Sequence, residues 1–227
     1  MGRGSAVSAW PRWGERRGRR GAQRPPRTGK TGLELARIIG GQGKGRRLKS
    51  PRGRATRPTG ARVRQTLFDI LAPRLPGCRF LDAFAGAGAV GLEALSRGAA
   101  LVVLVDASAE AVAALRANAS ALTATGGEVR IVRQAAPTAL AAFAEAGERF
   151  DLVYIDPPYD SDLYETALER AGRRGLLAED GIVVAEHFHK RPLPERIGDL
   201  SRTRDVRVGD HRLSFYRRQP ESARPQP

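Results

Sequence analysis

The sequence is poor in several residue types, and each shortage excludes a class of protein. Its single cysteine, Cys78, excludes an intramolecular disulfide bond and a zinc site built from several cysteines. Two of its three histidines, His187 and His189, have no third ligand nearby, so we predict no metal site. The longest wholly apolar run, residues 99–105, is far shorter than the roughly 20 residues of a membrane-spanning helix. We therefore expect neither a disulfide scaffold nor membrane contact, and we expect a cytoplasmic protein.

Acidic residues are also scarce at the beginning of the chain. The first 65 residues contain 19 Lys and Arg residues but only Glu15 and Glu34, whereas the rest of the chain contains 20 basic and 22 acidic residues. The net charges are therefore +17 and −2, and such an asymmetry favours an anionic partner. Residues 1–33 have too few apolar side chains to form a core, which predicts a disordered basic tail. We predict a second disordered tail over residues 219–227.

A small basic element is predicted between the first tail and the main domain. Residues 36–39 and 46–49 favour two short strands around a glycine-rich turn, so residues 34–60 are expected to form a β-hairpin followed by a basic loop. Thr59 is the predicted N-cap of the next helix. The apolar stripe of that helix consists of Val63, Leu67, Ile70 and Leu71, and Arg62 and Arg64 are expected to project off this stripe at the surface.

Strands and helices alternate through the rest of the chain. Helices are predicted at residues 88–97, 109–122, 139–146 and 163–174. Strands are predicted at residues 79–82, 100–105, 129–132, 151–155, 182–185, 202–208 and 211–217. This order predicts an α/β, Rossmann-like domain over residues 61–218, with a seven-stranded, mostly parallel sheet and a C-terminal antiparallel hairpin. Ligands of such sheets bind beyond the carboxyl ends of the strands.

The first of these strand ends carries a glycine-rich turn. Residues 82–91 contain the pattern G-x-G-x-x-G, and Asp106 follows Gly86 by 20 residues at the end of the second strand. The pattern is typical of dinucleotide sites, but Asp82 would repel a pyrophosphate. A ligand with a cationic end, such as S-adenosylmethionine, fits better, and Asp106 would bind its ribose hydroxyls. A helix N-cap is the alternative role for Asp106, and a dinucleotide-dependent oxidoreductase is an alternative function.

The fourth strand ends in the sequence Asp156-Pro157-Pro158-Tyr159. Two prolines cannot continue a central strand, so they predict a rigid bend between an acidic and an aromatic side chain. The combination of this bend with the glycine turn resembles the methyltransferases that modify exocyclic amino nitrogens of nucleobases or amides.

The chain is most similar in its motifs to one group, the bacterial small-subunit ribosomal RNA guanine-N2 methyltransferases. The similarity extends from about residue 36 to residue 217. The matching stretches are residues 37–41, 45–48, 57–59, 62–68, 80–99 and 156–159.

This resemblance implies a class I methyltransferase fold that uses S-adenosylmethionine to methylate the N2 amino group of a guanine in 16S ribosomal RNA. The substrate would be the RNA within a small-subunit particle, and the protein would be a monomer. In the proposed catalytic turn, Asp156 and the carbonyl of Pro157 would accept the two N–H bonds of the base amine, Pro158 would complete the rigid bend, and Tyr159 would stack on the base.

The resemblance also assigns binding residues. The cofactor-binding residues would be Asp82, Phe84, Gly86, Gly88, Asp106, Ala107, Gln134 and Ala135. The RNA-binding residues follow instead from the basic charge of the first 65 residues, and they would be Arg46, Arg47, Arg57, Arg62 and Arg64.

One departure from the family pattern affects the cofactor site. The family often has Asp or Asn before Ala after the third strand, where it binds the adenine amino group, but residues 133–136 of this chain read Arg-Gln-Ala-Ala. Gln134 or backbone groups would have to replace that acid. Two alternatives to guanine methylation remain from the sequence: methylation of another amine, such as adenine N6, and a non-catalytic RNA-binding protein on this fold.

Overall fold

Eight strands form a single sheet in the computed structural model, which describes residues 36–50, 60–122, 126–158 and 162–219. The order across the sheet is β3-β2-β1-β4-β5-β8-β7-β6. The first five strands run parallel, and β8 lies antiparallel between β5 and β7. The strands are β1 Arg79–Asp82, β2 Leu101–Asp106, β3 Glu128–Arg133, β4 Phe150–Ile155, β5 Leu177–Phe188, β6 Arg196–Ile197, β7 Leu200–Val208 and β8 His211–Arg218.

Five α-helices connect or precede these strands. They are α1 Ala61–Leu71, α2 Gly91–Ser96, α3 Ala109–Ser120, α4 Ala136–Glu145 and α5 Leu163–Ala171. A single 3-10 turn, Ala72–Arg74, follows α1 and contains Pro73. None of the described helices is long and apolar enough to cross a membrane.

The sheet confirms the α/β, Rossmann-like fold, including the C-terminal antiparallel hairpin. All seven predicted strands are present, and the additional strand β6 is a two-residue pair at the edge of the sheet. Strand β5 is longer than predicted at both ends: it begins at Leu177, which pairs with Phe150 of β4, and its polar carboxyl end, from Glu186 to Phe188, pairs with β8. Periodicity alone identified only its apolar centre.

The core is formed by the central strands and the helices that cover them. Strand β2 is buried from Leu101 to Val105, and β4 is buried from Leu152 to Ile155. Cys78 packs beside β1, where burial raises the pKa of its thiol to about 12, so it is a poor nucleophile at neutral pH. Helix α2 begins at Gly91 rather than Gly88, because Gly88 has a φ of 83°, which lies outside the helical region.

Helix α1 packs largely as predicted. Val63, Leu67 and Leu71 are buried, and Phe68 is buried beside them. The prediction for Ile70 was only partly right, because this side chain is half-buried. Gly60 occupies the N-cap position in place of the predicted Thr59, which lies outside the described residues, and no side chain caps the helix.

Residues 36–50 form a segment that lies against the helices, and we call it the docked segment. The predicted hairpin is reduced to one antiparallel bridge between Arg37 and Arg47. The backbone N–H of Ile38 donates to Arg46 O over 3.0 Å, and that of Leu48 donates to Ala36 O over 2.7 Å. Ile38 and Leu48 are buried, so the segment contributes apolar side chains to the core. The predicted tails, residues 1–33 and 219–227, lie outside the described residues except for Gln219, whose backbone N–H donates to Asp199 O over 2.9 Å. Most of the basic loop also lies outside the described residues.

Candidate active site

Three carboxylates follow three neighbouring strands at one edge of the sheet. Asp82 ends β1, Asp106 ends β2, and Asp156 follows β4, and β1 lies between the other two strands. The chain after β1 is fixed to both neighbours: Ala83 N–H donates to Tyr154 O over 3.0 Å, and Ala85 N–H donates to Val105 O over 2.9 Å. The order of the strands reverses here, and sheets of this type bind ligands at such a reversal.

The three glycines of the turn differ in what surrounds them. A Cβ at Gly91 would lie 2.2 Å from Leu104 Cδ2, so this glycine allows α2 to pack closely on β2. Gly88 is packed against Leu92 and Leu115. A Cβ at Gly86 would have no described atom within 4 Å, and its φ is 55°. A ligand can therefore approach the turn at Gly86, whereas Gly88 and Gly91 pack against other side chains of the protein.

Asp82 is a buried carboxylate with only part of its hydrogen-bonding capacity used. Its side chain is almost completely buried, and its Oδ2 accepts a hydrogen bond from Gly91 N–H over 3.0 Å. Its Oδ1 is buried and has no hydrogen-bond partner among the described residues. Burial raises the pKa of Asp82 to about 7, because water no longer solvates the charged form. A positively charged hydrogen-bond donor at Oδ1 would lower the pKa of Asp82 again.

Asp106 holds the glycine turn in place. Its Oδ2 accepts from Gly86 N–H over 2.9 Å, and its Oδ1 accepts from Ser108 N–H over 2.8 Å. The N-cap of α3 is Ser108, whose Oγ accepts from Ala111 N–H over 3.2 Å. The alternative in which Asp106 caps the helix is therefore wrong. Ala107, between them, is exposed.

The end of β3 presents backbone groups and small side chains. Gln134 is half-buried, and its backbone N–H donates to Asp106 O over 3.1 Å. Ala135 occupies the N-cap position of α4 and supplies no side-chain cap. Phe84, on the other side of the turn, is partly buried and packs against the core. The missing acid after β3 thus leaves the first turn of α4 without a side-chain acceptor.

The bend after β4 begins with a half-buried carboxylate. Asp156 is half-buried, Pro157 is buried and Pro158 is exposed, whereas the predicted stacking residue Tyr159 lies outside the described residues. Beneath the bend, Tyr154 Oη donates to Glu186 Oε2 over 2.5 Å. Burial and the negative charge of Glu186 raise the pKa of Tyr154 well above its ordinary value. Tyr154 is therefore a neutral hydrogen-bond donor that supports the bend.

The predicted RNA-binding residues are placed in two different environments. Arg46, Arg47 and Arg62 are exposed, and Arg57 lies outside the described residues. Arg64 does not lie on the surface as predicted, because the docked segment covers its face of α1. Its guanidinium is buried, its Nη2 donates to Arg37 O over 3.0 Å, and burial lowers its pKa.

Comparisons with known proteins agree with this geometry. The family model described as "Conserved hypothetical protein 95" matches residues 36–217. Ribosomal RNA small subunit methyltransferase D of Escherichia coli K12 is 36% identical over 191 residues, which cover 84% of this chain and 94% of that protein. The chain belongs to the ribosomal RNA small subunit methyltransferase D family.

Other members and solved structures support the same assignment. Ribosomal RNA small subunit methyltransferase D of Haemophilus influenzae is 32% identical over 69% of this chain and 81% of its own length. The structure of Escherichia coli yhhF has a TM-score of 0.71 at 33% identity and covers 82% of this chain and 99% of its own. A hypothetical protein of Thermus thermophilus has a TM-score of 0.68 at 36% identity, with coverages of 80% and 98%. The family resemblance drawn from the motifs is thus confirmed.

The side chains that hold the docked segment in place were not predicted from the sequence. Besides Arg64, three buried polar residues bind its backbone. Glu93 Oε2 accepts from Ile39 N–H over 2.7 Å, Ser96 Oγ accepts from Gly43 N–H over 2.8 Å, and Asn118 Oδ1 accepts from Lys49 N–H over 2.8 Å. Only Asn118 had a detectable pattern, because it lies three residues after Leu115 on the buried stripe of α3.

The site fits a ligand such as S-adenosylmethionine better than it fits a dinucleotide. The buried Asp82 Oδ1 lacks a donor, and an ammonium group would supply one. The space at Gly86 is open, so a ligand can approach the backbone closely. Among the residues that the structure describes, no group of three or more His, Cys, Asp or Glu side chains is arranged to hold a metal ion.

Proposed function

We propose that this protein transfers a methyl group from S-adenosylmethionine to the N2 amino group of a guanine in small-subunit ribosomal RNA. The observation that carries this proposal is the Asp156-Pro157-Pro158 bend at the carboxyl end of β4, directly beside Asp82 and the glycine turn on β1. The names of the relatives, which are small subunit methyltransferases, support the choice of RNA.

The cofactor supplies an activated methyl group on a positively charged sulfur atom. Asp82 would hold the ammonium group through its unpartnered Oδ1, and Asp106 would accept from the ribose hydroxyls with the remaining lone pairs of its carboxylate. The open face of Gly86 would lie against the ligand, and Phe84 and Ala107 would border it. Gln134 and Ala135 would lie nearest the adenine, where the backbone of the first turn of α4 replaces the absent acid.

The bend would position the target base. Asp156 would accept one N–H of the guanine amine and the Pro157 carbonyl would accept the other, which would favour a pyramidal nitrogen. Transfer of the methyl group would break its bond to sulfur, and the proton lost by the amine would pass to Asp156, its hydrogen-bond acceptor. Tyr159 would stack on the extruded base, a contact worth about 1–3 kcal/mol. Most of the rate acceleration would come from alignment of the nitrogen with the methyl carbon.

The docked segment would bind the RNA through exposed basic side chains. It contains Arg37, Lys44, Arg46, Arg47 and Lys49 and no acidic residue, and Arg62 is exposed at the start of α1. Such side chains neutralise phosphates. We propose that residues 34–60 form the RNA-binding element and residues 61–218 the methyltransferase domain, acting as a monomer on a small-subunit particle in the cytoplasm.

The direct test is product identification. The purified protein is incubated with labelled S-adenosylmethionine and small ribosomal subunits that lack base methylation, and the RNA is digested to nucleosides. Labelled N2-methylguanosine is the expected product. Labelled N6-methyladenosine would overturn the proposed substrate and retain the amine chemistry. No label together with no cofactor binding would overturn the enzymatic function and favour an RNA-binding protein.

A further inference from the structure

Asn118 differs from the other side chains that hold the docked segment, because it binds two parts of the molecule. Its Oδ1 accepts from Lys49 N–H over 2.8 Å, and its Nδ2 donates to Lys49 O over 2.9 Å. The same Nδ2 donates to Ala87 O, also over 2.9 Å. Both N–H bonds of the amide are therefore used, one on each segment.

Ala87 lies at the centre of the glycine turn. It stands between Gly86, with a φ of 55°, and Gly88, with a φ of 83°. Residues 83–90 lie between β1 and α2, and two side chains add to the backbone hydrogen bonds of this turn: Asp106 binds Gly86 N–H, and Asn118 binds Ala87 O. These two contacts hold the peptide groups on either side of the open Gly86 face.

The docked segment also touches the end of the helix that carries Asn118. Arg46 Nη1 donates to Ala121 O, the C-cap residue of α3. Arg46, Arg47 and Lys49 are exposed and lie within four residues of the chain, so an RNA phosphate bound by them would act on the backbone that Asn118 holds. Asn118 is itself buried and binds both Lys49 and Ala87, so a shift of Lys49 would reach Ala87 through the same amide.

We propose that Asn118 is a positioning residue that couples RNA binding on the docked segment to cofactor binding at the glycine turn. This inference rests on the proposed function, since it requires the segment to bind RNA and the turn to bind the cofactor. Coupling between two binding sites is reciprocal, so RNA strengthens cofactor binding by the same factor as the cofactor strengthens RNA binding.

The test compares cofactor affinity with and without RNA. The dissociation constant of S-adenosylhomocysteine is measured by calorimetry for the free full-length protein and for its complex with a 16S ribosomal RNA transcript. We expect RNA to lower it by about fivefold or more in the wild type. In Asn118→Ala the ratio falls to about one. Ser96→Ala is the matched control for a loosened segment, because Ser96 Oγ holds the same segment through Gly40 and Gly43 without touching the turn. We expect it to weaken RNA binding but to keep the wild-type ratio when RNA is saturating.

A second variant and a second measurement guard against a folding defect. Asn118→Asp keeps an acceptor for Lys49 N–H but can donate neither to Lys49 O nor to Ala87 O, so it too loses the coupling. In the wild type, hydrogen exchange of the turn amides slows when the RNA transcript binds, and in Asn118→Asp it does not. An unchanged cofactor affinity in RNA-bound wild type overturns the inference, as does a wild-type ratio in both variants. Where the wild type does not bind the transcript, the same measurements are made with small ribosomal subunits that lack base methylation, and failure to bind these as well contradicts the proposed RNA-binding function instead.

Discussion

The glycine turn and the docked segment are fixed to the same domain by contacts of very different range. The contacts of the turn are short in sequence: Asp82 binds Gly91 nine residues away, and Asp106 binds Gly86 20 residues away. The segment is held through Glu93, Ser96 and Asn118, which lie 53 to 69 residues from the backbone groups they bind. The turn is bound by residues of the adjacent strands and helix, whereas the segment is bound by helices that come much later in the sequence. Variants should therefore separate cofactor binding, RNA binding and chemistry.

The largest effect is expected from a variant that leaves the glycine turn and the docked segment intact and removes the carboxylate that would position the target amine. We expect Asp156→Ala to lower the rate of methyl transfer at least about a hundredfold, because the amine loses its acceptor and its alignment. Binding of S-adenosylhomocysteine stays at the wild-type level. Glu179→Gln is the control, since this exposed carboxylate lies near the opposite end of β5 from the site. Substantial methyl transfer by Asp156→Ala would remove this residue from the mechanism.

The second variant, Gly41→Ala, is expected to loosen the segment near Ser96 and to leave in place both the glycine turn and the contact between Lys49 and Asn118. Gly41 has a φ of 72°, and a Cβ there would lie 1.8 Å from Ser96 O, so Gly41→Ala adds a backbone clash of about 1–3 kcal/mol to the conformational strain. We expect RNA affinity to fall about tenfold or more, with unchanged affinity for S-adenosylhomocysteine in the absence of RNA.

Gly45→Ala provides the matched control for that experiment. Gly45 has a similar φ of 87°, but a Cβ there would have no described atom within 4 Å. It therefore carries the same conformational strain, about 1–2 kcal/mol, without the clash. RNA binding by fluorescence anisotropy and unfolding by denaturant distinguish the two variants. Equal losses in both would show that the close approach to Ser96 is unimportant.

A third prediction concerns the turn alone and follows from the pKa of Asp82. In the folded, ligand-free protein this pKa is raised from 3.8 to about 7. The contribution of Asp82 to the free energy of unfolding is therefore lost progressively as the pH rises from about 4 to 7. A cationic ligand binds the deprotonated form. Affinity for S-adenosylhomocysteine should therefore rise about tenfold from pH 6 to pH 8 and level off above.

Asp82→Asn should bind the same ligand weakly and with a nearly flat pH profile. Calorimetry over this pH range measures both the affinity and the proton released by wild-type Asp82 on binding. A profile in Asp82→Asn as steep as that of the wild type would assign the titration to another group.

The smallest effect is expected at the end of β3. Ala135 is the N-cap of α4 with φ −63° and ψ 134°, a conformation that suits a capping side chain. Ala135→Asp should stabilise the protein by about 1 kcal/mol through Thr138 N–H, because Pro137 has no N–H to offer. It should also strengthen S-adenosylhomocysteine binding a few-fold, because it restores the acid of the family pattern. Ala146→Asp, at the other end of the same helix, should instead destabilise it by about 0.3–1 kcal/mol.

The sequence predicted the placement of the three carboxylates better than that of the surface around them, and the reason is physical. Asp82, Asp106 and Asp156 were found because each directly follows an apolar strand, and the carboxyl ends of parallel strands share one edge. The open face at Gly86 and the close packing at Gly91 follow from the same glycine pattern. The missing acid after β3 was visible in the sequence, and the structure shows its consequence, an uncapped α4.

The docked segment could not be predicted in the same way. Arg64 was assigned to the surface from the apolar stripe of α1 alone, but a helix covered on a second face buries side chains off that stripe. The near-contact of Gly41 with Ser96 joins residues more than 50 positions apart, which no local pattern encodes. The residues that bind the segment lie on α2 and α3, and only the folded structure identifies them.

The most direct measurement of the central claim replaces the target nucleotide itself. Once the methylated position has been mapped, small-subunit RNA is prepared with inosine at that position, which lacks only the 2-amino group of guanosine. A matched RNA carries 7-deazaguanosine, which retains that group. We predict methyl transfer to the 7-deazaguanosine RNA and none to the inosine RNA. Undiminished transfer to the inosine RNA would contradict it.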